Sequence, residues 1–270
     1  MPLLQKYPVI FWLLILFLLL LIWSLWQTRS PKVTEYPIGS DKLPTSFNGL
    51  KIAQVSDLHN TQFGKNNQKL LQLLQDAQPD MILLTGDLID SFRTNLDPAV
   101  DFCQAAVQLA PTYYVPGNHE SRIPEDYAAL KEALEACGVV ILENESLDFC
   151  RGEDAVTLIG LMDPNFGIPW PEIETENYQI ALSHRPELLD EYAALGLDLV
   201  LTGHAHGGQF RLPFIGGLFA PHQGLFPRYT AGVHTSGNTT MVISRGLGNV
   251  PLLPRFNNRP EVILITLESV

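Results

Sequence analysis

Five apolar runs in this chain each end in residues that carry chemistry. "KIAQVS" leads into Asp57-Leu58-His59, "MILLT" into Gly86-Asp87, and "TYYVP" into Gly117-Asn118-His119. "YQIAL" leads into Ser183-His184 and "LDLVLT" into Gly203-His204-Ala205-His206. Short apolar runs bounded by turn residues read as buried strands. The leucines at 70, 71, 73 and 74 in "NQKLLQLLQDAQ" recur with helical spacing, so helices cross between the early strands and pair them in parallel. In open α/β sheets ligands bind outside the carboxyl ends of the strands. Five polar clusters at that end converge on one pocket.

The same reading gives strands over 50–56, 81–85, 112–115, 139–142, 156–161, 178–183, 198–202, 228–233, 239–243 and 261–267. Helices are expected over 65–76, 97–109, 124–137 and 186–195. The later strands have short connections and are expected to pair mostly antiparallel. The fold class is α/β: two packed mixed β-sheets with helices outside, in one domain over residues 48–270.

The amino-terminal region is of another kind. "PVIFWLLILFLLLLIWSLW", residues 8–26, contains no charge. As a helix it extends about 28 Å, the thickness of a bilayer core, and Trp23 and Trp26 suit the interface. No small-x-small cleavage site follows it, so an uncleaved signal-anchor is expected, giving a single-pass membrane protein. Residues 27–47, with Pro31, Pro37 and Pro44, read as a polar linker. Flanking charge barely distinguishes the two orientations.

Formal net charge is −12, which argues against nucleic acid as a partner, since a phosphate backbone is held by Lys and Arg. The three cysteines have neither zinc-finger nor disulfide-framework spacing and read as small core residues. The donor inventory of the strand ends is Asp57, His59, Asp87, Asn118, His184, His204 and His206. These nitrogen and oxygen ligands suit manganese, iron, zinc or nickel in a reactive site. Seven side chains exceed the needs of one ion and match two divalent ions sharing a carboxylate. A strand end would aim Asp57 and His59 at one point. A solvated turn is the alternative for each motif taken alone.

In the order D-x-H, G-D, G-N-H, H and G-H-x-H, these motifs resemble the calcineurin-like metallophosphoesterase family over residues 50–267. The carboxyl-terminal part, including "GHAHGGQFRLPF" and "SRGLGNVPLLPRFNNRPEVILITL", resembles its membrane-anchored or exported bacterial branch. Proteins of that branch are described as phosphodiesterases or UDP-diacylglucosamine pyrophosphatase-like proteins. The resemblance implies a four-layer αββα sandwich and a hydrolase of phosphoric esters. It assigns Asp57, His59 and His206 to one metal, Asn118, His184 and His204 to a second, and Asp87 to both. His119 matches the family's non-ligand histidine, suited to act as general acid. Asp90 matches the acidic residue that orients it. Ser91 stands where protein-phosphatase members carry an arginine, which weakens a protein-phosphatase reading. Arg93, Arg122 and Arg185 are candidate substitutes, and Glu120 has no assigned role.

The apolar, Gly- and Pro-broken stretch 210–226 follows the last metal motif. It either packs on the core or gives the pocket a lipid-facing rim suited to an amphipathic phosphoester. His222 and His234 have no partner in the sequence. Similarity to exported relatives favours an extracytoplasmic catalytic domain. The alternatives are a catalytically silent, membrane-tethered metal-binding scaffold and a pyrophosphatase acting on a lipid-linked nucleotide sugar.

Overall fold

The computed structural model describes residues 8–248 and 254–270. Helix α1 (Pro8–Thr28) is long and apolar enough to cross a membrane, and nearly all of its length is exposed. Its last two turns are different. Ser24 and Gln27 are buried, and both bond to the loop that precedes the final strand.

The stretch expected as a linker, 27–47, carries strand β1 (Lys32–Ser40). All nine of its residues pair in parallel with β16 (Glu261–Ser269), from Lys32 opposite Glu261 to Ser40 opposite Ser269. The linker expectation is therefore corrected. Pro37 is compatible with a strand here because β1 is the sheet edge, where a missing N–H leaves no neighbour unpaired.

The first sheet has the order β1, β16, β2 (Lys51–Val55), β3 (Met81–Thr85), β4 (Thr112–Val115), β5 (Val140–Ile141). Helices α2 (Gln68–Ala77), α3 (Asp97–Ala106), α4 (Asn118–Ser121) and α5 (Pro124–Cys137) belong to its crossovers, and β2 to β5 run parallel. The second sheet is built from β6 (Ser146–Arg151), β7 (Asp154–Gly160), β8 (Tyr178–Leu182), β9 (Leu199–Thr202), β14 (Gly232–Ser236) and β15 (Thr239–Ile243). Its order is β14-β15-β9-β8-β7-β6. Its centre is parallel and only its two edge pairings are antiparallel, contrary to the expectation from connection length. The 17-residue connection after β7 and helix α6 (Leu189–Ala194) after β8 act as crossovers.

Side chains alternate across each strand, as the period of two requires. In β3, Met81 and Leu83 face the second sheet, and Ile82 and Leu84 face the helices. Ile52, Leu83 and Val115 pack on Leu158, Ile180 and Leu201 between the sheets. Leu70, Phe102 and Leu130 cover the first sheet, while Leu189 and Tyr192 cover the second. This is the αββα sandwich. Gln54 ties its halves together near the strand ends, donating to the Thr202 carbonyl at 2.8 Å and the Thr85 hydroxyl at 3.2 Å. Cys103 is buried, Cys137 half-buried and Cys150 exposed, and all three are free.

Candidate metal centre and active site

Three of the five strands, β2, β3 and β9, end in a sharp reversal. Asp57, His59, Asp87, His204 and His206 all have positive φ, from 45° to 65°. Non-glycine residues in that region cost on the order of 1 kcal/mol or more each, and such strain collects at functional sites. Backbone bonds hold the reversals: Asp57 N–H donates to the Gly86 carbonyl and His59 N–H to the Asp87 carbonyl, each at 3.0 Å. His204 N–H donates to both Asp57 carboxylate oxygens at 3.0 and 3.1 Å. Two glycines allow the close approach. A Cβ on Gly86 would lie 2.6 Å from His184 Nδ1, and one on Gly203 would lie 2.3 Å from Asp57 Oδ2.

The side chains gather in two halves. In the first, His59 Nε2 lies 3.3 Å from His206 Nε2, and Asp57 Oδ1 lies 3.8 and 3.7 Å from them respectively. In the second, His184 Nε2 lies 3.2 Å from His204 Nδ1 and 3.1 Å from Asp87 Oδ2. That same Asp87 oxygen is 3.6 Å from His59 Nε2, so one carboxylate atom faces both halves. The Asn118 amide reaches the second half. With its nitrogen turned inward it donates to His204 Nδ1 at 2.7 Å and His184 Nε2 at 3.2 Å; turned the other way, its carbonyl oxygen faces the same two nitrogens. All seven expected donors are thus brought together.

This donor set fits cations. The buried Nε2 atoms of His59 and His206 face one another at 3.3 Å, and His59 Nδ1 has no hydrogen-bond partner, which suits rings that carry their protons on Nδ1 and turn two lone pairs toward one point. Burial pushes His59 down to about 4 and His204 and His206 well below the usual imidazole range, which leaves lone pairs free. Burial also raises Asp57 to about 6, opposed by His184. Burial acts against charge on Asp87 and His184 as well, but their mutual attraction wins: Asp87 stays well below the carboxylate range and His184 rises to about 10. His184 Nδ1 lies 2.8 Å from the Thr85 carbonyl, so Nδ1 carries the proton there and Nε2 points inward.

A cavity of about 150 Å³ opens over the cluster, lined among others by Asp87, Asn118, His119, Arg122, Phe92 and Pro221. His119 is on α4, directly after Asn118, and its ring meets His59 at 4.5 Å. Asp90 Oδ1 lies 3.9 Å from His119 Nδ1, within ion-pair distance of a charged ring but outside hydrogen-bond reach. Ser91 stands closer. Its backbone N–H donates to Nδ1 at 3.0 Å, and its hydroxyl lies at 3.1 Å. Asp90 accepts from Phe92 N–H at 2.8 Å and so closes its own turn. Of the three candidate arginines, Arg185 is committed to Asp163 through bonds of 2.6 and 2.8 Å, and Arg93 lies 3.9 Å from Asp90. Arg122 alone of the three lines the cavity.

Several residues gain roles the sequence did not disclose. Glu120 is fully buried and accepts from the backbone N–H groups of Asp87, Ile89 and Gly117, tying two ligand-bearing turns together. Its carboxyl is pushed by burial to about 7. Capping side chains leave no periodic mark, but a Glu three residues after a turn glycine was a usable hint. His222 places Nδ1 2.9 Å from His204 Nε2, behind the second half. His234 remains outside the site, with Nε2 3.2 Å from the Ala231 carbonyl. Behind the first half, fully buried Arg255 approaches His206 Nδ1 at 3.5 Å and donates to the Gly248 carbonyl. Asn258 donates to the His206 carbonyl at 2.8 Å. These two residues rest on α1. Ser24 donates to the Arg255 carbonyl at 2.5 Å, Thr28 accepts from Arg255 N–H at 3.0 Å, and Gln27 accepts from Asn258 N–H at 3.1 Å.

Comparison with known proteins agrees with this geometry. The family model for calcineurin-like phosphoesterases matches residues 50–208, which include all seven donors and His119. A metallophosphoesterase of Bacillus subtilis, YkuE, is 30% identical over 253 residues, covering 88% of this chain and 86% of its own. The phosphodiesterase YaeI of Escherichia coli is 32% identical over 228 residues, covering 80% and 82%. A zebrafish (Danio rerio) transmembrane protein with a metallophosphoesterase domain is 28% identical over 89% of this chain and 58% of its own. In fold, a sulfate thiohydrolase from Thermus thermophilus superimposes with a TM-score of 0.50 at 15% identity, over 84% of this chain and 58% of that one. The chain belongs to the calcineurin-like phosphoesterase family, whose members hydrolyse phosphoric esters.

Proposed function

We propose that this chain is a dinuclear metal-dependent phosphodiesterase anchored by α1. Asp57, His59 and His206 would hold one cation, Asn118, His184 and His204 the other, with Asp87 shared. The observation that carries this reading is the Asp87 oxygen facing His59 at 3.6 Å and His184 at 3.1 Å. Nitrogen and oxygen donors without thiolate suit manganese, iron, zinc or nickel. Two such cations, when bound, supply Lewis acidity toward phosphoryl oxygens and bring a coordinated water into nucleophilic range.

The chain's own residues then bind, orient and protonate. Arg122, at the cavity wall, supplies a guanidinium to a nonbridging phosphate oxygen. As general acid the His119 ring is charged: it gives its Nε2 proton to the leaving oxygen and returns to the neutral form, whose Nδ1 accepts the Ser91 N–H. When the ring is charged, its Nδ1–H can donate a hydrogen bond to Ser91 Oγ. Ser91 thus performs the orienting task assigned by resemblance to Asp90, which acts by shaping the turn. Phe92 and Pro221 narrow the entrance. We place the catalytic domain on the extracytoplasmic side by likeness to exported relatives; digestion by protease added to intact spheroplasts tests that placement.

Turnover is tested on bis-p-nitrophenyl phosphate against p-nitrophenyl phosphate, with and without Mn²⁺. Metal-stimulated release from the diester above that from the monoester is expected. Two bound metals by elemental analysis with no turnover of either ester would leave the silent metal-binding scaffold.

A further inference from the structure

Outside α1, the exposed large apolar side chains of the described residues gather most densely in one short segment. Two small hairpins, β10 (Arg211–Leu212) with β11 (Gly216–Gly217) and β12 (Phe219–Ala220) with β13 (Gly224–Leu225), follow His206. Their tips and edges show Phe214, Ile215, Phe219, Leu225 and Phe226 to solvent, with Phe214 fully exposed and Leu225 and Phe226 about 70% exposed (73% and 68%). Contiguous apolar surface of this kind marks an interaction site.

What covers it follows from its position. The base of the first hairpin is fastened to the loop that carries Phe256: Arg211 N–H donates to the Phe256 carbonyl at 3.0 Å, and Phe210 bridges to Phe256. The Phe256 ring in turn meets Trp23 of α1 at 5.5 Å. A single residue therefore separates the hairpins from the helix. The contact falls at the Trp23–Trp26 level of α1, where aromatic residues sit at a membrane–water boundary. Arg259 lies over Trp26 at 5.7 Å and bonds the Ser30 carbonyl, which fixes the domain against the helix end. The second hairpin continues to the active site, where Pro221 lines the cavity and His222 touches His204.

We propose that the hairpin pair 210–226 is an apolar collar that inserts into the lipid interface beside α1, so that the catalytic cavity opens toward the bilayer surface. This rests on the reading of α1 as a membrane span. The collar's partner is the acyl–headgroup boundary of a bilayer, and the substrate class it favours is a phosphoester carried on an apolar tail. Insertion is driven by apolar burial, because a chain of net charge −12 is repelled by anionic headgroups.

The test uses the full chain in phosphatidylcholine vesicles. Spin labels are placed singly at Phe214→Cys, Leu225→Cys and Phe226→Cys in a background lacking the native cysteines. A label on native Cys150, exposed on β6, is the control. The three collar labels should be relaxed more by oxygen than by a water-soluble nickel chelate, with the reverse at Cys150. Nickel access equal to that at Cys150, or dipolar broadening between labels on two copies, overturns the proposal. Kinetics give a second readout. The variant Phe214→Ser/Leu225→Ser/Phe226→Ser changes only exposed side chains. It should keep kcat/KM for bis-p-nitrophenyl phosphate within about twofold while losing about tenfold or more on p-nitrophenyl hexadecyl phosphate embedded in the vesicles. Equal loss on both esters, or loss on neither, overturns the collar's role. If the parent chain turns over neither ester, the phosphodiesterase reading fails, and the labels still decide the collar.

Discussion

The two halves of the proposed metal centre use the same ligand types but differ in what stands behind them. The second half is backed by a strand end and by the segment that follows it: His184 by the Thr85 carbonyl and His204 by His222 of the second hairpin. The first half hangs on a loop near the other end of the chain. Asn258 holds the His206 carbonyl, Arg255 approaches its Nδ1, and both are bonded to the last two turns of α1. Ligands of one chemistry can therefore differ in rigidity, because orientation is set by the partner on the far side of the ring. The second half should keep its cation when the membrane helix is perturbed, and the first half should not.

The severest perturbation removes what the halves share. Asp87→Ala takes away the carboxylate that faces both, so fewer than two metals per chain and a fall in kcat/KM of at least roughly 10³-fold are expected. Two tightly held metals in that variant, by elemental analysis, would contradict the shared role. His119→Ala belongs to neither half and should keep both metals. It should lose roughly 10²- to 10⁴-fold on esters with poor alkoxide leaving groups and much less on nitrophenyl esters, whose leaving group needs no proton. Equal losses would remove His119 as proton donor.

The asymmetry itself is probed by Ser24→Ala/Gln27→Leu. Calorimetric metal titration should show one site weakened roughly tenfold and the other unchanged, in the range found for partners behind metal ligands. Equal weakening of both sites, or of neither, breaks the distinction. The mildest effect is expected for His222→Ala. Its side chain is 42% exposed, so the weakening should fall below the roughly tenfold seen for buried partners and be confined to the other site.

The strand-end cluster was legible because two local signals coincide there: apolar runs that specify buried strands, and polar residues at the one place where such strands stop. α5 was legible to the residue, bounded by Pro124 and by Gly138 in a left-handed cap. β1 was not. "KVTEYPIGS" has few apolar positions and an internal proline, because an edge strand needs neither two buried faces nor every N–H, and its partner lies more than 200 residues away. A chain begun near Pro44, inside the stretch that reads as a linker, would leave β16 as a bare edge. The short α4 was hidden inside the Gly-Asn-His motif. Ser91 was noticed only as a missing arginine, since a backbone N–H aimed at an imidazole has no sequence mark. The polar face of α1 was hidden for a similar reason: Ser24, Gln27 and Thr28 read as the frayed end of an apolar run until a distant loop supplied their partners.

The placement of β16 between β1 and β2 sets an order of events during synthesis. Lys32 leaves the ribosome 229 residues before its partner Glu261 (261 − 32). At roughly 5–20 residues per second that is a wait of roughly ten to fifty seconds. Throughout it, β1 presents a hydrogen-bonding edge that nothing yet occupies. The loop carrying Arg255 and Asn258 emerges just ahead of β16, so the half of the centre that leans on α1 is also the last to mature. Newborn chains should pass through a stage in which one cation can already be captured while the other site is still being assembled, leaving a window for chaperones and proteases to act on the nascent enzyme.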